Sequence, residues 1–94
     1  MKLHYCEKVL LVEDNDVNRM LLSDCFKFCG YQVKALPGGS KFFSTVKTFR
    51  PNLIVLDLKL PDIDGFLLLE KMQQNSYTAK IPVIVVSGLA FKSD

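Results

Sequence analysis

The 94-residue sequence lacks the features that membrane and secreted proteins require. No apolar run approaches the ~20 residues of a membrane-spanning helix. The longest run, residues 81–86, has the length of a strand. The N-terminus has no secretory apolar region followed by small residues. We therefore expect a cytoplasmic protein with no membrane partner.

The sequence also has little excess charge of either sign, since its 12 basic and 10 acidic residues give a net charge of +2. A net charge this small does not indicate nucleic-acid binding. The cysteines Cys6, Cys25 and Cys29 have no zinc-ligand spacing, and their odd number in a reducing compartment favours free thiols. Cys25 and Cys29 share one face of a predicted helix and are expected to line the core.

Short apolar runs alternate with segments of helical periodicity, and 49% of the residues are hydrophobic. This composition predicts one folded domain over residues 1–94, with residues 1–7 as a polar lead-in. The predicted strands are residues 8–13, 31–35, 53–57 and 81–86, and the predicted helices are residues 17–29, 41–49 and 66–74. Strands that alternate with helices predict an α/β fold with a parallel sheet covered on both faces.

Polar side chains follow three of the four predicted strands. Glu13 and Asp14 end the first strand, Asp57 ends the third, and Ser87 follows the fourth. The carboxyl ends of parallel strands meet at one edge, where such folds bind ligands. Close carboxylates repel, so without a cation at least one pKa should rise. Mg2+ prefers such oxygen ligands, and an Asp beside it can attack phosphorus. Alone, Glu13 and Asp14 could simply cap a helix.

Three segments carry a resemblance to a known family. They are residues 9–15, residues 81–88, and residues 53–65 with the element Asp57-x-x-Leu60-Pro61-x-Ile63-Asp64-Gly65. The sequence resembles the receiver domain of bacterial response regulators. The resemblance implies a flavodoxin-like fold truncated to four strands in the order 2-1-3-4, with about three helices.

The resemblance also implies a role for each residue at the predicted edge. Asp57 corresponds to the phosphoacceptor, and Ser87 to the switch hydroxyl that bonds the phosphoryl oxygens. Glu13, Asp14, Asp57 and the backbone carbonyl of Lys59 correspond to the Mg2+ ligands. The implied partner is a histidine kinase or a phosphotransfer protein, and the implied role is a stand-alone receiver in phosphorelay signalling.

The resemblance stops before the family's fifth strand and the lysine that ends it. Lys59 is the nearby candidate for a substitute cation. A chain that lacks the fifth strand exposes its fourth strand as a sheet edge, and apolar edges mark interfaces. We therefore expect a homodimer through this side, either by the fourth-strand edge or by the first helix.

Two other function classes compete with the phosphoacceptor interpretation. The chain could be an interaction module that retains the pocket but works without phosphorylation. An enzyme fits less well, because a phosphatase with an Asp-x-Asp nucleophile motif needs an acid where Lys59 stands. Asp62 and Asp64 follow Pro61 in a predicted loop and are expected to shape that loop rather than bind metal. We therefore predict a protein that is not an enzyme.

Overall fold

The computed structural model describes residues 7–86 of the chain. Four strands alternate with three α-helices, and a short 3₁₀ helix, Thr78–Lys80, precedes the last strand. The strands are β1 (Lys8–Val12), β2 (Gln32–Leu36), β3 (Leu53–Asp57) and β4 (Val83–Val86). The helices are α1 (Asp16–Phe28), α2 (Phe42–Phe49) and α3 (Gly65–Gln74). None of the helices in this part of the chain has the length and apolarity needed to cross a bilayer.

The strands form one parallel sheet in the order β2-β1-β3-β4. Val12 lies opposite Leu36 on one side and Leu56 on the other, so the carboxyl ends of β1, β2 and β3 are level. This arrangement confirms the predicted fold class and strand order. The residues that follow β1 and those that end β3 consequently meet at one edge of the sheet.

Both faces of the central strands are buried, as their continuous apolar sequences predict. One face packs against α2 and α3 through Leu10, Val12, Ile54, Leu56, Phe42, Val46, Leu68 and Met72. The other face presents Val9, Leu11 and Val55 to α1, whose Leu22 and Phe26 pack against them. The two faces together hold β1 and β3 rigidly where the acidic residues emerge.

The boundaries of several elements differ from the predicted ones by one or two residues. β1 ends at Val12 rather than Glu13, and β4 begins at Val83 rather than Ile81. Pro82 precedes β4 and has no N–H for the sheet, although its carbonyl accepts the N–H of Ile54. The predicted polar linker after α3 contains the 3₁₀ helix.

The buried face of α1 is narrower than predicted. Cys25 and Cys29 are exposed, which contradicts the expectation that both thiols line the core. Val17 and Leu21 precede Cys25 at four-residue spacing, which predicts one apolar stripe along the helix, and both are also exposed. The helix contacts the sheet through Leu22 and Phe26. Because successive helical residues are rotated by about 100°, Leu21 points well away from that line.

Candidate metal and phosphoacceptor site

Three carboxylates converge at the carboxyl edge of the sheet. Glu13 and Asp14 follow β1, and Asp57 is the last residue of the adjacent strand β3. One oxygen of each lies within 4.8 Å of one oxygen of each of the others. The structure thus brings together the three acidic residues that the sequence predicted to meet. This spacing allows one small cation to contact all three groups.

Glu13 is the buried member of this group, with only 2% of its surface exposed. Burial is the largest cause that raises the pKa of its carboxyl, and the charges of Asp57 and Asp14 raise the pKa further. The N–H of Asn15 donates to Glu13 Oε2 at 3.1 Å and opposes that rise. Among the described residues, no donor contacts Glu13 Oε1. This buried, unpartnered oxygen indicates that a cation or proton completes the site.

Asp14 and Asp57 differ from Glu13 in their access to solvent. Asp14 is exposed, whereas Asp57 is buried with 8% of its surface exposed at the same edge of the sheet. The backbone N–H of Lys59 donates to Asp57 Oδ1 at 3.0 Å and fixes the orientation of that carboxylate. The carboxyl of Asp57 is therefore held in place by the loop that follows its own strand.

The loop between β1 and α1 is fixed by two residues that the sequence analysis did not assign to the site. Asn15 caps α1, because its Oδ1 accepts the N–H of Asn18 at 2.9 Å. Arg19 Nη1 donates to the carbonyls of Glu13 and Asp14 at 3.0 and 3.3 Å. The order Glu-Asp-Asn-Asp was a visible capping signal for Asn15. Nothing in the spacing of Arg19 identified its contact with the preceding loop.

The loop between β3 and α3 contains Asp62 and Asp64, neither of which belongs to the acidic group. Asp64 caps α3 by accepting the N–H of Phe66 at 3.0 Å. Asp62 accepts the N–H groups of Gly39 and Ser40, and the first of these is the largest cause that lowers its pKa. Both aspartates therefore shape loops, in agreement with the sequence-based expectation.

The donor set of the acidic group fits Mg2+. All three side chains offer hard carboxylate oxygens, and the exposure of Asp14 leaves room for the waters that Mg2+ retains. Neutralisation by a divalent cation would also relieve the repulsion that raises the pKa of Glu13. The other two predicted site residues, Lys59 and Ser87, contribute no carboxylate to this group. Lys59 adjoins Asp57 through its N–H, and Ser87 lies outside the described residues.

Comparison with known proteins agrees with this geometry. A family model described as the response regulator receiver domain matches residues 9–94. The chain is 31% identical over 88 residues to the polar-differentiation response regulator DivK of Brucella anthropi. That match covers 94% of this chain and 72% of the relative.

Solved structures show the same fold. A response regulator receiver protein from Pseudomonas putida is similar with a TM-score of 0.81 at 27% identity, covering 98% of this chain and 74% of that one. The chemotaxis response regulator CheY4 of Vibrio cholerae gives a TM-score of 0.81 at 23% identity, covering 86% of this chain and 68% of that one. The four-stranded sheet described above is thus part of a recurrent architecture.

Proposed function

Because this chain belongs to the response regulator receiver domain family, we propose that Asp57 accepts a phosphoryl group in a Mg2+-dependent reaction. The observation that supports this proposal most strongly is the convergence of Glu13, Asp14 and Asp57 within 4.8 Å at the sheet edge. Receiver domains act in two-component signalling. The proposed role of this chain is therefore that of a signalling module rather than an enzyme.

The chemistry at Asp57 is a transfer between two groups. A carboxylate oxygen of Asp57 attacks the phosphorus of a phosphohistidine or a small acyl phosphate. A new P–O bond forms, and the bond between phosphorus and the donor's nitrogen or oxygen breaks. We assign the attack to Oδ2, because Oδ1 already accepts the Lys59 N–H. The bound Mg2+ would supply neutralisation of charge on the transferring group.

The remaining predicted residues have supporting parts in this proposal. Glu13 and Asp14 would hold Mg2+ through their carboxylates, and Lys59 would do so through its backbone carbonyl. The side chain of Lys59 is exposed and is the proposed cation beside the phosphoryl group. Ser87 is the proposed hydroxyl that bonds the phosphoryl oxygens.

A histidine kinase or a phosphotransfer protein is the proposed phosphoryl donor. The relative named above is itself a response regulator, which supports a donor of this class. The donor must approach the edge where Asp14 is exposed and Asp57 keeps a small accessible area. The same proposal places the chain in the cytoplasm, where such donors carry their phosphohistidine.

Phosphorylation by acetyl phosphate tests the proposal directly. Wild-type protein with Mg2+ should gain one phosphoryl group by intact-protein mass spectrometry, and Asp57→Asn should gain none. Asp64→Asn is the matched control, since it removes one nearby negative charge and retains an acceptor for the Phe66 N–H. A wild-type chain that stays unmodified with both acetyl phosphate and a cognate kinase would contradict the proposal.

A phosphorylation-independent, self-associating module is the second candidate function. The observation that favours it is the apolar surface of β4, whose Ile84 and Val85 are 48% and 41% exposed. Among the described strands, β4 pairs with β3 alone. A cellular activity that is unchanged in Asp57→Asn would favour this candidate over the first.

A further inference from the structure

Two loops at the carboxyl edge are held together by one side chain. The Asp62 carboxylate, in the β3–α3 loop, accepts the N–H of Gly39 through Oδ1 at 2.9 Å. It accepts the N–H of Ser40 through Oδ2 at 2.8 Å. Gly39 and Ser40 lie just before α2, more than 20 residues away in sequence. We call this pair of contacts the Asp62 clasp.

The clasp requires glycine at residues 38 and 39, the first next to and the second at a contact position. A Cβ on Gly39 would overlap Ile63 Cγ2, and a Cβ on Gly38 would lie 2.9 Å from Asp62 Oδ1. Real Cβ atoms essentially never approach that closely, so a Cβ at either position would displace the Asp62 or the Ile63 side chain from its place in the clasp. The close approach of the Asp62 and Ile63 side chains to this backbone therefore requires glycine at residues 38 and 39.

The clasp connects the buried start of α2 with the loop that contains Lys59, the residue whose N–H contacts Asp57. On one side, the Gly39 carbonyl accepts the N–H of Phe42, which is fully buried in the core at the start of α2. On the other side, Lys59 and Asp64 form an antiparallel bridge that closes the β3–α3 loop around Asp62. Lys59 also donates its N–H to Asp57 Oδ1 at 3.0 Å.

We propose that Asp62 is a positioning residue for the phosphoacceptor site. Its clasp ties the β3–α3 loop to the buried start of α2 and thereby fixes the backbone of Lys59 relative to Asp57. Asp62 itself contacts neither metal nor phosphoryl group. This inference rests on the proposed function, because it assigns the Lys59 backbone a place beside the bound Mg2+.

Mg2+ binding tests the inference independently of phosphorylation. The probe is Mg2+ alone, titrated into the full chain and followed by the NMR shifts of the Asp57 to Lys59 amides. Asp62→Asn, which replaces one acceptor oxygen by a donor, should weaken Mg2+ binding about ten-fold, as removal of groups that support metal ligands does. Gly39→Ala should weaken binding similarly, and it changes no charge.

Matched controls separate the clasp from other effects. Ser40→Ala retains the backbone N–H that Asp62 accepts and should bind Mg2+ like the wild type. Asp24→Asn removes a charge from an exposed site on α1 and should also have no effect. Amide hydrogen exchange at Gly39 and Ser40 should accelerate in Asp62→Asn and in Gly39→Ala, which shows that the clasp has opened.

The outcomes distinguish the inference from the function on which it rests. If both clasp variants show faster exchange but bind Mg2+ as the wild type does, the positioning role is wrong and the metal site stands. If Gly39→Ala binds normally and only Asp62→Asn is weakened, the effect is one of charge and the inference is again wrong. A wild-type chain that binds no Mg2+ overturns the proposed metal site and this inference together.

Discussion

Glu13 shows the conflict between folding and function most clearly at the scale of a single residue. Its carboxyl is almost fully buried, faces two other carboxylates and has one oxygen without a partner among the described residues. Burying a charge in such surroundings costs free energy. A hydrophobic residue would serve the core better, and the proposed cation site accounts for an acid at this position.

Replacing Glu13 by Gln should therefore stabilise the metal-free protein at neutral pH. The pKa of Glu13 is raised in the folded state, so its contribution to stability is full below its ordinary pKa of 4.5 and is lost as the pH rises through the folded-state pKa. Urea unfolding in EDTA should show Glu13→Gln more stable than the wild type at pH 7. The difference should vanish near pH 4.

The matched control for this pH dependence is Glu70→Gln, because Glu70 is exposed on α3. It should leave the free energy of unfolding unchanged at every pH. A stability difference for Glu13→Gln that is constant from pH 4 to pH 8 would show that packing, rather than the buried charge, accounts for the effect.

Gly65 is a second position where one atom decides the geometry of the site. A Cβ there would lie 2.5 Å from Leu58 Cα and 2.8 Å from the Leu58 carbonyl oxygen, both of them backbone atoms. Gly65→Ala should therefore destabilise the protein by about 1–3 kcal/mol, the usual cost of overpacking, as measured by thermal unfolding. Gly30→Ala is the comparison variant. A Cβ at Gly30 would meet open space, but the φ of this residue is +98°, so a loss of stability there measures backbone strain without crowding. Equal stability of Gly65→Ala and wild type would contradict the crowding.

At the scale of elements, periodicity predicted which segments are strands and helices, because buried strands and amphipathic helices differ in their apolar spacing. It could not predict which residues of α1 are covered. Val17, Leu21 and Cys25 belong to the apolar stripe and are nevertheless exposed, since coverage depends on where the helix lies over the sheet. That placement is a tertiary property.

The candidate site likewise has residues that the sequence could predict and contacts that it could not. Glu13, Asp14 and Asp57 could be predicted, because strand ends converge by topology alone. The backbone partners of Arg19 and Asp62 could not be predicted, although a loop-shaping role was expected for Asp62, since each contact joins a side chain to the backbone of a loop. Asp62 reaches Gly39 across 23 positions, and no local pattern contains such information.

The cap of α1 links an element to the site. Asn15 Oδ1 accepts the Asn18 N–H at 2.9 Å, and the Asn15 N–H donates to Glu13. Asn15→Ala should cost about 1 kcal/mol of folding free energy through the lost cap, as measured by urea unfolding. Asn15→Ser should recover most of that stability, because Ser caps about as well as Asn and adds no charge beside the acidic group. Equal stability of all three proteins would mean that the cap contributes nothing.

At the scale of the whole molecule, the proposed Mg2+ binding would be coupled to folding, because the acidic group forms only when β1 and β3 are paired. Mg2+ at ten times its dissociation constant should stabilise the wild type by about 1.4 kcal/mol over EDTA. Glu13→Gln should lose most of this gain. Scanning calorimetry with and without Mg2+ measures both values, and an equal gain in the variant would exclude Glu13 as a ligand.

The exposed apolar side chains of β4 lie on both faces of the sheet, and this placement determines which surface of the whole molecule could self-associate. Ile84 lies opposite Val55 and so shares the face covered by α1, where Leu21 is also exposed. Val85 lies opposite Leu56, on the face of α2 and α3. Self-association that covers the α1 face would therefore bury Ile84 and Leu21 but leave Val85 exposed.

Light scattering after size exclusion tests this association. If the α1 face mediates it, the wild type should have about twice the chain mass of 10.6 kDa at high concentration. Ile84→Lys and Leu21→Lys should then be monomers, because a buried lysine is costly at an apolar interface. Val85→Lys should remain a dimer, as should Phe66→Lys, which alters an exposed side chain of α3 on the other face of the sheet. If the β4 edge mediates the pairing instead, Leu21→Lys should still form a dimer. A wild type that stays monomeric at every concentration would exclude association through either the α1 face or the β4 edge.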